Sequence, residues 1–176
     1  MTDEVGLEVD RFALRTFQVT PAGRLASISV SGDHWADGTC SAQCLKDDVN
    51  FFGWWRGEAN IPHKAPGWDC RCGIYGSLNL ANLIRQYPHH ARSIVAVIAA
   101  EGQTIIGSRG LRAQYARVVA FWTPERSIKR RASKQFRGAE YYKRCSKMLA
   151  AYGLERGEAP HDGVSLTPAD WWIADQ

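Results

Sequence analysis

The stretch His63–Tyr75, with the sequence HKAPGWDCRCGIY, is the part of the chain around which we expect the fold to be organised. It combines a histidine with a Cys70-x-Cys72 pair and then passes into the apolar Ile74-Tyr75, which predicts a short buried strand. The character of the chain changes here, from irregular upstream to regularly patterned downstream. We therefore expect this stretch to join a long loop to the body of an α+β domain.

Upstream, the segment from Ser31 to Gly73 is predicted to be a long loop insert. It contains four of the seven Trp and shows neither helical nor strand periodicity. A structureless segment of this length is unusual inside a compact domain. Aromatic packing or a bound metal ion is therefore expected to hold it.

The chain before this insert is predicted to form a hairpin. Arg15–Thr20 and Arg24–Val30 alternate polar and apolar residues, and the turn-forming Pro21-Ala22-Gly23 joins them. Residues 1–10 are acidic and are predicted to be a flexible N-terminus, which leaves a single domain over 11–176.

Downstream, helical and strand patterns alternate. Ser77 is predicted to cap a helix with an apolar face that runs to about Tyr87, and Pro88 is predicted to end it. The continuous apolar character of Ser93–Ala100 predicts a strand buried on both faces. A further strand is predicted at Ala116–Trp122.

The region 125–152 is predicted to be helical, with a break near Gly138, and it concentrates the positive charge. It holds nine Lys or Arg against two acids, or +7, whereas the whole chain carries +4. Such a field on a mildly acidic body is typical of a protein with a polyanionic partner, although solvated helix faces are also charged. The second half of the region has a helical apolar stripe made of Tyr141, Cys145, Met148, Leu149 and Tyr152.

Composition limits the class of protein. An apolar content of 45% predicts a folded domain, and no apolar run reaches the length of a membrane span. The first residues lack a signal-peptide pattern, so we expect a cytoplasmic protein. Five cysteines, an odd number, are then more consistent with metal ligands, buried thiols or catalysis than with a disulfide framework.

A structural zinc site is the first interpretation of these cysteines. Zinc in proteins prefers a tetrahedron of Cys and His ligands. The predicted ligands are Cys44, His63, Cys70 and Cys72. Cys40 in place of His63 would give four cysteines. Two other interpretations stay open: plain burial of Cys70 and Cys72 as small apolar side chains, and a catalytic cysteine activated by His63 or His34.

Two sets of residues are predicted to contact nucleic acid. Basic side chains would meet the phosphate backbone, and these are Lys129, Arg130, Arg131, Lys134 and Arg137. Arg112 and Tyr75 are expected nearer a pocket. Tyr75 and Trp68, together with Trp54 and Trp55, could stack on an exposed base, although core packing is the favoured explanation for any one of them. The sequence lacks the P-loop, GxGxxG, HExxH and GxSxG motifs.

The stretch His63–Tyr75 resembles a signature of uncharacterised actinobacterial and actinophage proteins, in which His-x-Ala-Pro precedes Cys-x-Cys-Gly-Ile-Tyr. Gly110–Ala116 is similar to their Gly-x-Arg-Ala segment, and Ala42-Gln43-Cys44 matches an upstream Ala-x-Cys element. The resemblance covers roughly residues 11–122. It favours Cys44 over Cys40 as the partner of Cys70-x-Cys72, and it implies a phage or prophage origin without a settled activity.

The order of elements is also similar to that of PUA-like domains, the group that includes ASCH and EVE modules. In these domains a strand leads into a helix, and a hydrophobic strand and a hairpin then close a small barrel. This resemblance implies an α+β fold with a small mixed β-barrel-like sheet and flanking helices. It also implies a pocket for RNA or a modified base, an expectation that rests on fold analogy. The long loop insert departs from the pattern.

Together these features predict a module that binds DNA or RNA, recognises a modified or flipped base, and is held by a structural zinc clamp. One alternative is a small zinc- or cysteine-dependent enzyme that acts on nucleotides or nucleic acid. Another is a phage or prophage protein that binds a host protein through its basic helix. The sequence leaves the oligomeric state open.

Overall fold

The computed structural model describes residues 11–30, 34–44 and 63–157. The predicted flexible N-terminus at 1–10 and the two tryptophans Trp54 and Trp55 lie outside the described residues. The described strands are β1 (Arg11–Arg15), β2 (Gln18–Val19), β3 (Leu25–Ala26), β4 (Thr39–Ser41), β5 (Ile74–Ser77), β6 (Val95–Ile106), β7 (Gly110–Trp122) and β8 (Glu140–Tyr142). The described helices are α1 (Leu80–Gln86), α2 (Pro88–Ser93), α3 (Arg126–Gln135) and α4 (Cys145–Ala151).

The long hairpin of β6 and β7 is the centre of the main sheet. Its two strands are antiparallel, and the pairing of Val95 with Trp122 lies at its open end. One edge of β6 pairs with β1, and the free edge of β7 takes β5, β4 and β8 in succession. β1 and β5 also pair at one position, Leu14 with Ser77. Among the described strands only β8 runs parallel to its neighbour, so the prediction of a mixed sheet in an α+β fold is confirmed.

The two faces of this sheet carry separate apolar cores. Successive residues of a strand point to opposite faces. Ala96 and Ile98 of β6 therefore pack with Phe17, Trp35 and the buried side of α3, whereas Val97 packs with α1, α2 and α4. The apolar run in β6 is buried on both faces, as its sequence predicts.

The first two helices differ from the prediction at their ends. Ser77 belongs to β5, and Asn79 caps α1 instead, because its side chain accepts a hydrogen bond from the backbone N–H of Asn82 at 2.9 Å. Pro88 separates two helices, since it also opens α2. Proline suits the first helical position, where its missing N–H would have no partner within the helix.

The predicted helical region 125–152 is interrupted by a strand. α3 ends at Gln135, Gly138 adopts a φ of 83°, and β8 then pairs in parallel with β7 before α4 begins. Tyr141, which the helical stripe includes, therefore lies on β8, while the buried face of α4 carries Cys145, Met148 and Leu149. Backbone pairing with the end of β7 prevails over a helical pattern that is only local.

The predicted hairpin is shorter than expected. The turn at Pro21–Gly23 is confirmed, but only two residue pairs join β2 to β3, and Arg15 lies in β1 of the main sheet. No helix in the described ranges is long and apolar enough to cross a membrane.

Candidate metal centre and adjoining clefts

The pairing of two short strands with one edge of β7 brings the candidate metal ligands together. Ser41, at the end of β4, pairs with Tyr115, and Ile74, at the start of β5, pairs with Ala113. The chain leaving β4 and the chain entering β5 therefore meet beside the same short piece of β7. Cys44 follows the first strand closely, and the Cys70-x-Cys72 pair precedes the second.

Four ligand atoms converge at this point. Those of Cys44, His63, Cys70 and Cys72 all lie within 4.8 Å of one another. Cys44 Sγ is 3.7 Å from Cys70 Sγ, and His63 Nε2 is 3.2 Å from Cys72 Sγ. Two sulfurs bound to one tetrahedral zinc are about 3.8 Å apart, and those of a disulfide only about 2.05 Å. The arrangement is therefore close enough to hold a metal ion and is compatible with zinc.

The other two cysteines lie outside this group. Cys40, the alternative fourth ligand, sits within β4 and directs its Sγ to the carbonyl oxygen of Ser41 at 3.9 Å. Cys145 is fully buried in the core under α4, and this burial raises the pKa of its thiol to about 12. All five cysteines are free thiols.

The protonation of the paired thiols suits a metal centre. Burial raises the pKa of Cys70, but hydrogen bonds from the backbone and thiol of Cys72, from Cys44 and from His63 outweigh this effect and lower it to about 7. The pKa of Cys72 is raised by burial and by its neighbouring thiols. One thiol of the pair thus loses its proton near neutral pH. Because metals bind thiolates, such a cluster is chemically prepared for an ion.

Arg112 of β7 stabilises the loop that carries the ligands through hydrogen bonds to the loop backbone. Its Nη1 donates to the carbonyl oxygens of Gly67, Cys70 and Cys72. The backbone N–H of Gly67 in turn donates to Cys72 Sγ at 3.3 Å. The sequence suggests Arg112 as a nucleic-acid contact. In the structure it orients the loop 63–72, which we call the metal loop.

A cleft of about 700 Å³ opens between β5, α1 and the turn from β6 to β7. Four arginines contribute to its lining, and no Asp or Glu is present among the described residues that line it. We call it the arginine cleft and define it by Arg15, Arg85, Arg109 and Arg112.

A second cleft, of about 550 Å³, lies beside the metal centre. It too lacks Asp and Glu among its described lining residues. We call it the cysteine cleft and define it by Trp35, Cys40, Cys44, Cys70 and Cys72. The two clefts adjoin, because Arg15, Ser29, Tyr75, Gln86 and Tyr87 line both.

Arg15 is the functional candidate that sequence reasoning missed. It ends β1 and lies partly buried beside the indole of Trp35, whose ring centre is 5.2 Å from its Cζ. Burial lowers the pKa of its guanidinium. The sequence offers only a weak signal, a single arginine closing an otherwise apolar strand, since its neighbours come from strands far along the chain.

Most of the predicted nucleic-acid contacts are described and exposed, whereas Arg112 is partly buried, and Trp54 and Trp55 lie outside the described residues. The five basic residues of Lys129–Arg137 lie on the outer side of α3 and just beyond its end. Lys129 Nζ lies 3.9 Å from the ring centre of Tyr141. Trp68 is 77% exposed on the metal loop, and Tyr75 is 48% exposed beside both clefts. Both rings are therefore accessible for stacking.

No protein-family model matches the chain, and no curated protein or solved structure is significantly similar to it. What the protein does is therefore inferred from its own residues.

Proposed function

We propose that the protein is a nucleic-acid-binding module that receives an exposed base and its phosphate in the arginine cleft, with a structural zinc clamp beside it. The observation that carries this proposal is the lining of that cleft: four arginines without a carboxylate among the described residues. A concave surface of one charge sign concentrates ligands of the opposite sign, and phosphates are the common polyanion that arginine binds through paired hydrogen bonds.

The shape and polarity of the arginine cleft suit a nucleotide. Its volume lies within the range of small-molecule sites. Asn82 and Gln86 add amide groups to the lining, and Tyr75 and Tyr87 add aromatic rings. Amides can both donate to and accept from the edge of a base, and aromatic rings stack on its face. A base extruded from a duplex, or one in a single strand, offers both surfaces.

The basic residues of α3 would extend the contact along the phosphate backbone. Arg131 Nη1 donates to the carbonyl oxygen of Gly23 at 2.9 Å, and Gln135 donates to those of Leu25 and Trp35. Trp35 in turn lines the cysteine cleft. α3 is therefore attached to a wall of this cleft, so a strand bound in the clefts could continue onto it.

The PUA-like fold is part of the same proposal. The pairings β1–β6, β6–β7, β7–β5 and β5–β1 return to their starting strand, which is the connectivity expected of a small barrel. The helices on both faces of the sheet and the cleft between the sheet and the loops are also consistent with a PUA-like fold.

The zinc site is proposed to be structural. Four protein ligands complete a tetrahedron, whereas catalytic zinc usually keeps one position for water or substrate. This favours a clamp over the alternative of a zinc- or cysteine-dependent enzyme that acts on nucleotides or nucleic acid. The clamp would join Cys44 to His63, the described residues that flank the segment 45–62.

Binding of labelled single-stranded DNA and RNA of mixed sequence, measured by fluorescence anisotropy at several salt concentrations, tests the proposal. We expect affinity to fall steeply with salt, and the Arg130→Glu/Lys134→Glu variant to bind more weakly with a salt slope smaller by about two. Arg11→Glu/Lys147→Glu changes the net charge equally at exposed positions on β1 and α4 and should bind nearly as wild type.

Absence of binding to every oligonucleotide at low salt would refute the proposal. In that case, capture of a host protein that survives nuclease treatment would support the phage-protein alternative.

A further inference from the structure

The arginine cleft and the cysteine cleft share a wall that carries a positive charge. Both clefts have volumes within the range of small-molecule sites, at about 700 and 550 Å³. Arg15 lies in the shared wall, and Tyr75 and Tyr87 line both sides of it. The two compartments are therefore neighbours of similar size, with a cation between them.

The guanidinium of Arg15 is incompletely satisfied by the protein. Its Nη1 donates to the carbonyl oxygen of Tyr75 at 2.6 Å and its Nη2 to Ser27 Oγ at 3.0 Å. Its Nε has no hydrogen-bond partner. Among the described residues no Asp or Glu carboxylate pairs with it.

A partly buried cation without a carboxylate partner is stabilised when an anion joins it. A guanidinium carries five N–H groups in a planar fork, so Arg15 retains donors on both Nη atoms after the two contacts above. Such a fork fits the two free oxygens of a phosphate. A ligand with a single carboxylate would pair with Arg15 equally well, but it would not account for the two clefts on either side of Arg15.

We propose that the two clefts hold two consecutive nucleotides of one strand, and that Arg15 binds the phosphodiester between them. This inference rests on the proposed function and specifies its ligand. One base lies in the arginine cleft and its neighbour in the cysteine cleft beside Trp35. The minimal ligand is then a dinucleotide, and the charge of its linkage is recognised directly.

Competition against a labelled 12-nucleotide strand tests this inference with the zinc-loaded full chain. The competitors are 5′-mononucleotides, a dinucleotide mixture with the natural phosphodiester, and the same mixture with a neutral methylphosphonate linkage. We expect the natural dinucleotides to compete at concentrations at least about tenfold lower than the mononucleotides. The dinucleotides with the neutral linkage should compete about tenfold less well than the natural ones, which is the value of a charged hydrogen-bond pair.

Variants assign the effect to Arg15. Arg15→Met should bind the two dinucleotide mixtures equally, whereas Arg11→Met, an exposed arginine on the same strand, should retain the preference for the charged linkage. The comparison of linkages on the unchanged protein remains decisive if Arg15→Met folds poorly.

Equal competition by mononucleotides and dinucleotides, or by the two linkages, would overturn the two-nucleotide inference and leave the proposed function standing. If the 12-nucleotide strand itself does not bind, both fail.

Discussion

At the scale of single residues, Gly67 reveals how closely the candidate metal centre is packed. A Cβ at this position would lie 2.7 Å from His63 Cδ2 and 2.8 Å from Nε2. The same residue donates its N–H to the sulfur of Cys72. Its small size and its backbone both support the ligands, which is the role of an outer shell around a metal.

Replacing one ligand should abolish metal binding. We expect Cys72→Ser to reduce zinc from about one ion per chain to near zero and to lower the thermal unfolding midpoint, because ligation contributes folding free energy. Elemental analysis of protein purified without a histidine tag measures the content. Cys40→Ser, outside the ligand group, should retain the zinc. A wild-type protein without stoichiometric zinc would contradict the site, and loss of a catalytic turnover with an unchanged fold would favour the enzyme alternative.

Adding one methyl group beside His63 should weaken the site without removing a ligand. We expect Gly67→Ala to lower zinc affinity by about tenfold or more, since the imidazole must move to admit the new Cβ. Competition with a chelator of known affinity measures this change. The variant and wild type should have similar stability once zinc is removed, and a large difference in the zinc-free state would indicate a different cause.

At the scale of elements, β7 links the metal loop to the sheet. Its edge pairs with β4 and β5, which bring in the cysteines, and its Arg112 holds three carbonyl oxygens of the loop. Arg117, further along the same strand, instead forms an exposed ion pair with Glu101 at 2.8 Å. Loss of the Arg112 side chain would therefore remove hydrogen bonds to three carbonyl oxygens of the loop, whereas loss of the Arg117 side chain would remove an exposed ion pair.

Removal of the Arg112 guanidinium should destabilise the protein. We expect Arg112→Met to reduce the free energy of unfolding by about 2 kcal/mol, because three carbonyl oxygens lose a charged donor. Arg117→Met should change it by less than about 1 kcal/mol, as is usual for exposed ion pairs. Urea unfolding with zinc present compares the two. Similar effects of both substitutions would argue that Arg112 does not hold the loop.

At the scale of the whole molecule, the core on the α3 side of the sheet depends on close strand packing where β5 meets β1. Gly76 of β5 allows that approach, since a Cβ there would lie 2.6 Å from Ala13 Cβ and 3.1 Å from Ile98 Cδ1. Ala13 and Ile98 belong to the core on the α3 side.

A methyl group at Gly76 should therefore strain the core. We expect Gly76→Ala to reduce the free energy of unfolding by about 1–3 kcal/mol, the usual cost of overpacking. Gly107→Ala meets only an ordinary contact of 3.6 Å and should stay within about 1 kcal/mol of wild type. Chemical denaturation measures both. An unchanged stability of Gly76→Ala would mean that β5 and β1 can separate freely.

The sequence by itself determined the features whose signals are local. The apolar run at Ile94–Ala100 required a strand covered on both faces, and the Pro21–Gly23 turn required a chain reversal. The set Cys44, His63, Cys70 and Cys72 was among those that the sequence offered, because few residue types bind zinc, but Cys40 stayed an alternative ligand until the structure placed the four ligand atoms within 4.8 Å of one another.

Only the tertiary structure decided the features that depend on distant strands. Tyr141 lies on a strand because the end of β7 offers an edge to pair with, which local helical periodicity cannot register. Arg15 looks in the sequence like any surface arginine, and the sequence gives no sign that Arg112 binds the loop of the candidate metal ligands. Their positions, between two clefts and beneath the metal loop, arise because strands and loops 40 or more residues away supply the carbonyl oxygens that they bind.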